Sequence, residues 1–239
     1  MVVVMEEARL PAMWKPLTAH SRDRELVWLV GRHGAMSIEH VMMAMRCGRT
    51  ASYRRVARCV EGGLIERHAV PGVSSGILIA TRSGLSYAGL GLPVATVSPA
   101  TITHTLRCAF LAIRHEQLSP GCRVFTEREI VLEEAIRGER FASVVIGRFR
   151  GHPKMHRPDL LAEAEEEGKT VLSPVEVELT PKSPARLRTI ISAWRDAVWA
   201  ERFSLVQYSC KRGQTRRAVQ RAIASTKAKG AVAIIGVKS

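Results

Sequence analysis

The sequence lacks any long apolar run. None of its uninterrupted apolar stretches approaches the roughly 20 residues that a membrane-spanning helix requires. The apolar residues at the N-terminus lead directly into Glu6 and Glu7, an order of charge that argues against a secretory signal. We therefore expect a soluble, cytoplasmic protein without a membrane partner.

Patterned cysteines and repeats are also missing. The 5 cysteines are scattered, and no pair has the CxxC spacing or a matching histidine cluster. This argues against both a disulfide framework and a structural zinc site. No internal repeat or low-complexity tract is visible, so repeat architectures are not expected.

Acidic residues are scarce relative to basic ones. There are 22 Asp and Glu against 36 Lys and Arg, which gives a formal net charge of +14. Such an excess repels itself unless a polyanion neutralises it, so nucleic acid is the first candidate partner. With 46% hydrophobic residues, the chain of 239 residues has enough apolar material for one large or two small domains.

Residues 22–90 have the element order of a DNA-binding module. Apolar periodicity predicts helices over Asp23–His33, after Ser37, and from Ala51 to about Glu61. Alternating residues on both sides of a Pro-Gly turn then predict a β-hairpin, and Thr81 caps a short helix. The segments GGLIERH and ILIATRSGLSYAG resemble the wing region of winged helix-turn-helix proteins, so we expect an N-terminal winged helix.

The remaining chain predicts a second domain. Residues 1–21 form an N-terminal extension, residues 91–100 with their prolines and glycine are a plausible linker, and residues 101–239 alternate between helical and strand patterns. The predicted helices cover 101–117, a segment from Pro184, and 215–226; the predicted strands cover 124–125, 130–132, 142–147, 158–162, 174–179, 203–210 and 231–237. Interleaved helices and strands imply an α/β sheet with helices on its faces, and an α+β chain as a whole.

The predicted third helix is a candidate recognition helix. An α-helix fits the major groove, where arginine bonds guanine and hydroxyl groups meet other base edges. Arg49 and Ser52 are the best candidates for base or phosphate contact, while Arg54 and Arg58 share a face that suits the backbone. A solvated helix face and a protein–protein module remain alternatives. The full candidate set for double-stranded DNA is Arg49, Thr50, Ser52, Tyr53, Arg54, Arg55 and Arg58.

Paired carboxylates in the second domain suggest a metal site. On a strand, Glu176 and Glu178 point to the same face, and Asp159 precedes them in an Arg-Pro-Asp sequence. The repulsion between such carboxylates falls if a hard divalent cation, Mg²⁺ or Mn²⁺, lies between them. The alternative is that Glu176 and Glu178 lie on a solvated edge or form ordinary ion pairs with Arg186, Arg188 or Lys182.

The segments RPDLL and VEVELTPKS resemble the PD-(D/E)xK phosphodiesterase superfamily. Joined to a winged helix, they are similar to the replication-relaxation family of plasmid and actinobacterial mobile-element proteins, over about residues 22–237. The resemblance implies a restriction-endonuclease-like α/β domain that carries the catalytic residues Asp159, Glu176, Glu178 and Lys182, with the metal on Asp159 and Glu176. FTEREI also resembles that family, with Glu127 or Glu129 as a further carboxylate.

The motif departs from the superfamily at its last position. The usual lysine is replaced by Glu178, and Lys182 lies four residues further on. Three functions therefore stay open. They are a metal-dependent nuclease or nickase, a non-enzymatic transcriptional regulator or replication accessory protein whose second domain serves dimerisation or DNA grip, and a defence nuclease. A homodimer is a further expectation, because the helix that carries Trp194 and Trp199 and the last strand offer apolar surface.

Overall fold

The structure, a computed structural model, describes residues 22–236 and is mixed α+β. Its N-terminal part contains the predicted helices and hairpin, with β1 antiparallel to β2. The predicted extension, residues 1–21, lies outside the described residues. The elements of this part are α1 (Arg22–His33), α2 (Ile38–Met45), α3 (Arg49–Glu61), β1 (Ile65–Val70), β2 (Val73–Ala80) and α4 (Arg82–Ala88).

The apolar faces of these elements form one core. Leu26 from α1, Val41 from α2, Val56 from α3 and Leu78 from β2 are all buried in it. Helix α4 packs so closely on the turn before β1 that a Cβ at Gly84 would clash with the backbone oxygen of Leu64. Only glycine fits there. The periodic apolar positions thus hold α3 against α1 and α2 and leave its arginines outside.

The second part is built on a five-stranded mixed sheet in the order β3-β6-β7-β8-β9. Strands β3, β6 and β7 are antiparallel, whereas β7, β8 and β9 are parallel and joined by helices. Strands β4 and β5 form a separate hairpin. The elements are α5 (Ile102–Leu118), β3 (Arg123–Thr126), α6 (Glu127–Arg137), β4 (Val144–Phe149), β5 (His152–His156), β6 (Leu160–Glu166), β7 (Lys169–Glu178), α7 (Pro184–Trp199), β8 (Val206–Cys210), α8 (Gln214–Ser225) and β9 (Val232–Ile235).

Helices cover the sheet as the alternation of elements predicts. Val175 and Val177 of β7 pack with Leu111 of α5, while Leu161 of β6 packs with Trp194 of α7. The alternation along each strand separates the two cores. No helix within residues 22–236 combines the length and the apolar character needed to cross a bilayer.

One predicted strand is wrong. Residues 130–132 lie within helix α6, because Thr126 caps that helix: its hydroxyl accepts from the backbone N–H of Glu129, whose carboxylate accepts from the backbone N–H of Thr126. This reciprocal capping box starts a helix more strongly than three consecutive apolar residues favour a strand. The strand β5 was not predicted.

The predicted linker is packed rather than free. Residues 91–100 contain no helix or strand, but Leu92 is buried in the N-terminal core. Helix α5 touches both parts, with Ile113 in the N-terminal core and Leu111 against the sheet. The division into two domains stays a prediction, and contacts cross the expected boundary.

Candidate functional site

Helix α3 presents an arginine-rich face to solvent. Arg49, Thr50 and Arg54 are exposed, and within residues 22–236 neither Arg49 nor Arg54 has an acidic ion-pair partner. Two guanidinium groups lie near the ring of Tyr53, with the central carbon of Arg49 5.6 Å and that of Arg67 5.7 Å from the ring centroid. These residues border an open groove of about 760 Å³.

The other predicted α3 residues have partners within the protein. Arg55 Nη1 lies 2.8 Å and Arg58 Nη2 lies 2.9 Å from Asp23 Oδ1 on α1. The hydrogen bond from Arg58 helps to hold the pKa of Asp23 below its usual value, so that carboxylate stays charged. Ser52 is fully buried, with its hydroxyl donating to Gly48 O over 3.0 Å. Its predicted DNA contact disagrees with this burial, so we do not include Ser52 in the proposed contact surface.

The hairpin β4–β5 forms a second basic surface, which we call the basic ribbon (residues 144–156). No acidic residue occurs from Ser143 to Arg157. Arg148, Arg150 and Lys154 are exposed. The turn follows Phe149, and the second strand ends at His156, whose side chain lines a cavity in the sheet domain.

That cavity contains all four catalytic residues expected from the sequence. Its volume is about 870 Å³, and charged side chains form a large part of its lining. It lies where β6 and β7 meet the first residues of α5 and the segment before α7. Asp159, Glu176, Glu178 and Lys182 line it together with His104, Glu127, His156, Arg157, Arg186 and Lys211. Glu176 and Glu178 are two residues apart within strand β7 and both line this cavity.

Asp159 is fixed by the neighbouring strand. Its Oδ2 accepts the backbone N–H of Val177 over 2.6 Å, and its Oδ1 lies 3.4 Å from Nε2 of His104. The hydrogen bond with Asp159 raises the pKa of His104. The register pairs Leu160 with Val175, so one step further along the ladder Asp159 comes opposite Glu176.

One carboxylate oxygen of Glu176 has two ring-nitrogen partners. Its Oε1 accepts Nε1–H of Trp194 over 2.9 Å and lies 2.7 Å from Nε2 of His156. Trp194 is fully buried and its indole has no freedom to turn away. The side chain of Glu176 is only 3% exposed, so this buried carboxylate is oriented before any ligand binds.

Lys182 folds back onto the motif. Its ammonium group hydrogen-bonds to Oε2 of Glu178, across the Pro181 turn that separates β7 from α7. Lys182, four residues beyond Glu178, thus brings its ammonium group to the carboxylate of Glu178. The predicted alternative, an ordinary ion pair, describes this same contact, and the ion pair places a positive charge inside the cavity.

Four acidic and four Lys or Arg side chains line the cavity, so opposite charges lie close together there. Burial raises the pKa of Glu178, and the charges of Glu176 and Asp159 add to this, while Lys182 opposes it. Burial and the charge of Asp159 also raise the pKa of Glu127. Burial and neighbouring carboxylates thus disfavour the charged forms of Glu178 and Glu127, a cost that a bound cation would lower.

The donor chemistry fits the hard cation that the sequence predicts. Carboxylate oxygens are the ligands Mg²⁺ and Mn²⁺ prefer, and the hydrogen bonds to Asp159 and Glu176 orient these two without neutralising them fully. Within residues 22–236, however, the trio of possible ligands whose atoms all lie within 4.8 Å is His104, Cys108 and Asp159. A hard cation bound by the carboxylates would therefore have to pull their oxygens closer together.

Sequence reasoning left several cavity residues unassigned. Of the two alternatives for a further carboxylate, Glu127 lines the cavity, whereas Glu129 is buried against Arg32. His104 and His156 had no fixed ligand spacing in the sequence. The spacing of four between His104 and Cys108 on one helix was the available signal. Nothing in the sequence pointed to Trp194 as a partner of Glu176.

The comparisons with known proteins add no relative. No protein-family model, curated protein or solved structure matches this chain.

Proposed function

We propose that this protein binds double-stranded DNA, with α3 in the major groove and the β1–β2 hairpin as the wing of a winged helix-turn-helix. The observation that carries the proposal is the exposed pair Arg49 and Arg54, which has no acidic partner in the described chain. Charged groups left without partners on a protein of net charge +14 suit a polyanion.

The pattern of pairing refines which arginines contact DNA. Arg55 and Arg58 share Asp23, so part of their charge is already neutralised within the protein. Arg49 lies at the start of α3, the end of a recognition helix that reaches base edges in helix-turn-helix proteins. A solvated face and a protein–protein module would both leave DNA affinity unaffected by these residues.

Replacing both Arg49 and Arg54 with alanine is expected to weaken DNA binding and flatten its salt dependence. Each lost phosphate contact lowers the slope of log K against log salt by about 0.9, so the double variant should lose up to about 1.8. Fluorescence anisotropy with a labelled duplex at several salt concentrations measures both quantities.

Arg58→Ala is the matched control on the same helix. Because Asp23 already compensates part of the charge of this arginine, its loss should change the slope less than the loss of Arg54. Equal slopes for the Arg49/Arg54 double variant and the unchanged protein would contradict the proposed contact surface. So would a duplex affinity too weak to detect in dilute buffer.

The basic ribbon extends the proposed DNA contact to the cavity. Exposed Arg148, Arg150 and Lys154 stand on a hairpin whose last residue, His156, contacts Glu176. A two-stranded ribbon has dimensions that suit a DNA groove or backbone. The ribbon provides the positive charge that a phosphate backbone needs to approach a cavity rich in carboxylates.

Arg148→Ala combined with Arg150→Ala should reduce duplex affinity as well, with a slope loss of at most about 1.8. Glu165→Gln, an exposed change on β6, serves as the control for surface substitution in this domain and should leave affinity nearly unchanged. Full affinity in the ribbon variant would place the DNA elsewhere.

A second candidate function, metal-dependent cleavage of the phosphodiester backbone, is favoured by the cavity. The observation behind it is that Asp159, Glu176, Glu178 and Lys182 line one space. Asp159 and Glu176 would hold Mg²⁺ or Mn²⁺, which supplies Lewis acidity and an activated water when bound. Lys182 holds a positive charge beside Glu178, and exposed Arg186 and Lys211 would orient phosphate groups at the rim.

Metal-dependent cleavage is the function that the resemblance to the PD-(D/E)xK superfamily and to the replication-relaxation family implies. A non-enzymatic regulator or replication accessory protein would have the same DNA contact without cleavage. The cavity would then serve to grip DNA or to support the fold. The homodimer stays a prediction.

A further inference from the structure

A trio of side chains with different ligand atoms lies between α5 and β7. His104 and Cys108 are four residues apart on α5 and therefore face the same side of that helix. Asp159, just before β6, approaches the same point. One nitrogen of His104, Sγ of Cys108 and a carboxylate oxygen of Asp159 all lie within 4.8 Å of one another, and all three residues are half-buried.

The histidine ring is oriented for coordination. Its Nε2 lies 3.2 Å from the backbone oxygen of Val177 and 3.4 Å from Asp159 Oδ1, two acceptors that favour a proton on this nitrogen. The other nitrogen, Nδ1, then has its lone pair toward Cys108. Histidines that bind metals typically donate their second ring N–H to a carbonyl or carboxylate in this way.

The spacing between the first two ligands fits a tetrahedral ion. Nδ1 of His104 and Sγ of Cys108 are 3.7 Å apart. A tetrahedral zinc ion with its usual bond lengths to nitrogen and sulfur separates these atoms by roughly 3.5 Å. The helix therefore already holds the pair at nearly the required separation, and Asp159, whose Oδ1 lies 3.4 Å from the other ring nitrogen, would exchange that contact for the ion.

We propose that His104, Cys108 and Asp159 bind a borderline-soft divalent cation of the Zn²⁺ class. A nitrogen, sulfur and oxygen donor set selects such ions over Mg²⁺, for which thiolate is a poor ligand. His104 and Asp159 also line the cavity, so a fourth position faces solvent and can take water. This inference does not depend on DNA binding, and Asp159 is common to this site and the proposed magnesium site.

The charges around Cys108 favour a bound cation and disfavour a thiolate without one. Burial raises the pKa of Cys108, and the charges of Asp159, Glu127 and Glu176 raise it further. The thiol thus keeps its proton until a cation arrives. Binding forms the sulfur–metal bond and releases that proton to solvent.

Titration of the metal-free full-length protein with Co²⁺ tests the site. Co²⁺ takes the place of Zn²⁺ and gives a thiolate-to-metal charge-transfer absorption only when sulfur is a ligand. We expect one equivalent to bind with this absorption and Zn²⁺ to displace it. Cys108→Ser should abolish the absorption, and His104→Gln should weaken binding at least about tenfold. Cys122→Ser, a half-buried cysteine outside the trio, should leave the spectrum unchanged.

Two results would overturn the proposal. One is Co²⁺ binding without the thiolate absorption in the unchanged protein, and the other is an absorption that survives Cys108→Ser. Circular dichroism of each variant distinguishes lost ligation from lost folding. Serine differs from cysteine by one atom, so we expect Cys108→Ser to fold. The titration contains no DNA, so its failure is separate from failure of the proposed function.

Discussion

Replacing Arg32 with alanine is expected to lower the free energy of unfolding by about 3–5 kcal/mol, the cost of breaking a buried ion pair. Arg32 is almost fully buried at the end of α1. Its guanidinium lies 3.0 Å from Glu116 and 3.2 Å from Glu129, and it also donates to the backbone oxygen of Val124. Alanine would leave the buried Glu129 without its cation. Unfolding in urea, followed by circular dichroism, measures the loss.

Arg22→Ala on the same helix is the matched control. Arg22 is exposed, so its loss should change stability by no more than about 0.5 kcal/mol. The double variant Arg32→Met with Glu129→Gln removes both charges and should recover part of the loss. A change below about 1 kcal/mol for Arg32→Ala would show that the cluster does not stabilise the fold.

The cluster of Arg32, Glu116 and Glu129 also joins the two parts of the protein. Thr126, which caps α6, donates its hydroxyl to the backbone oxygen of Arg32 over 2.9 Å. Gln117 at the end of α5 donates to the backbone oxygen of Met43 on α2 over 2.6 Å. The helices that carry α3 are therefore packed against the sheet that carries the cavity. DNA bound to α3 would have a defined position relative to the cavity.

Local patterns predicted most elements of the fold. Apolar residues at helical spacing located α1, α2 and α3, and Pro184 marked the start of α7. The alternation in β7 predicted which residues face the cavity, because strand geometry alone puts Glu176 and Glu178 on one side. These features depend on neighbours in sequence, which is why sequence reasoning reached them.

Features that depend on distant contacts were not predictable. Asp23 neutralises part of the charge of Arg55 and Arg58 from another helix, so the charge that α3 offers to DNA is smaller than its sequence suggests. The partnership of Trp194 with Glu176 likewise needs the packing of α7 on the sheet. The strand predicted over 130–132 failed for a local reason, since the capping pair Thr126 and Glu129 outweighed a short apolar run.

The second large expected effect is metal-dependent DNA cleavage at the cavity. Supercoiled plasmid incubated with the protein and Mg²⁺ or Mn²⁺ is expected to become nicked or linear. Asp159→Asn and Glu176→Gln should each slow this by roughly 100-fold or more, because removal of a charged ligand loses several kcal/mol of transition-state stabilisation. Both substitutions keep the size of the side chain and an acceptor for the hydrogen bonds from Val177 and Trp194.

Binding and cleavage must be measured on the same variants, because the two candidate functions differ only in whether the protein cleaves DNA. Glu165→Gln on β6 controls for loss of a carboxylate outside the cavity and should cleave like the unchanged protein. Cleavage that persists in Glu176→Gln would point to a contaminating nuclease. If the unchanged protein binds duplex tightly but cleaves with neither ion, the cavity is not catalytic. In that case Asp159→Asn should tighten DNA binding slightly, since it removes a negative charge that repels phosphate.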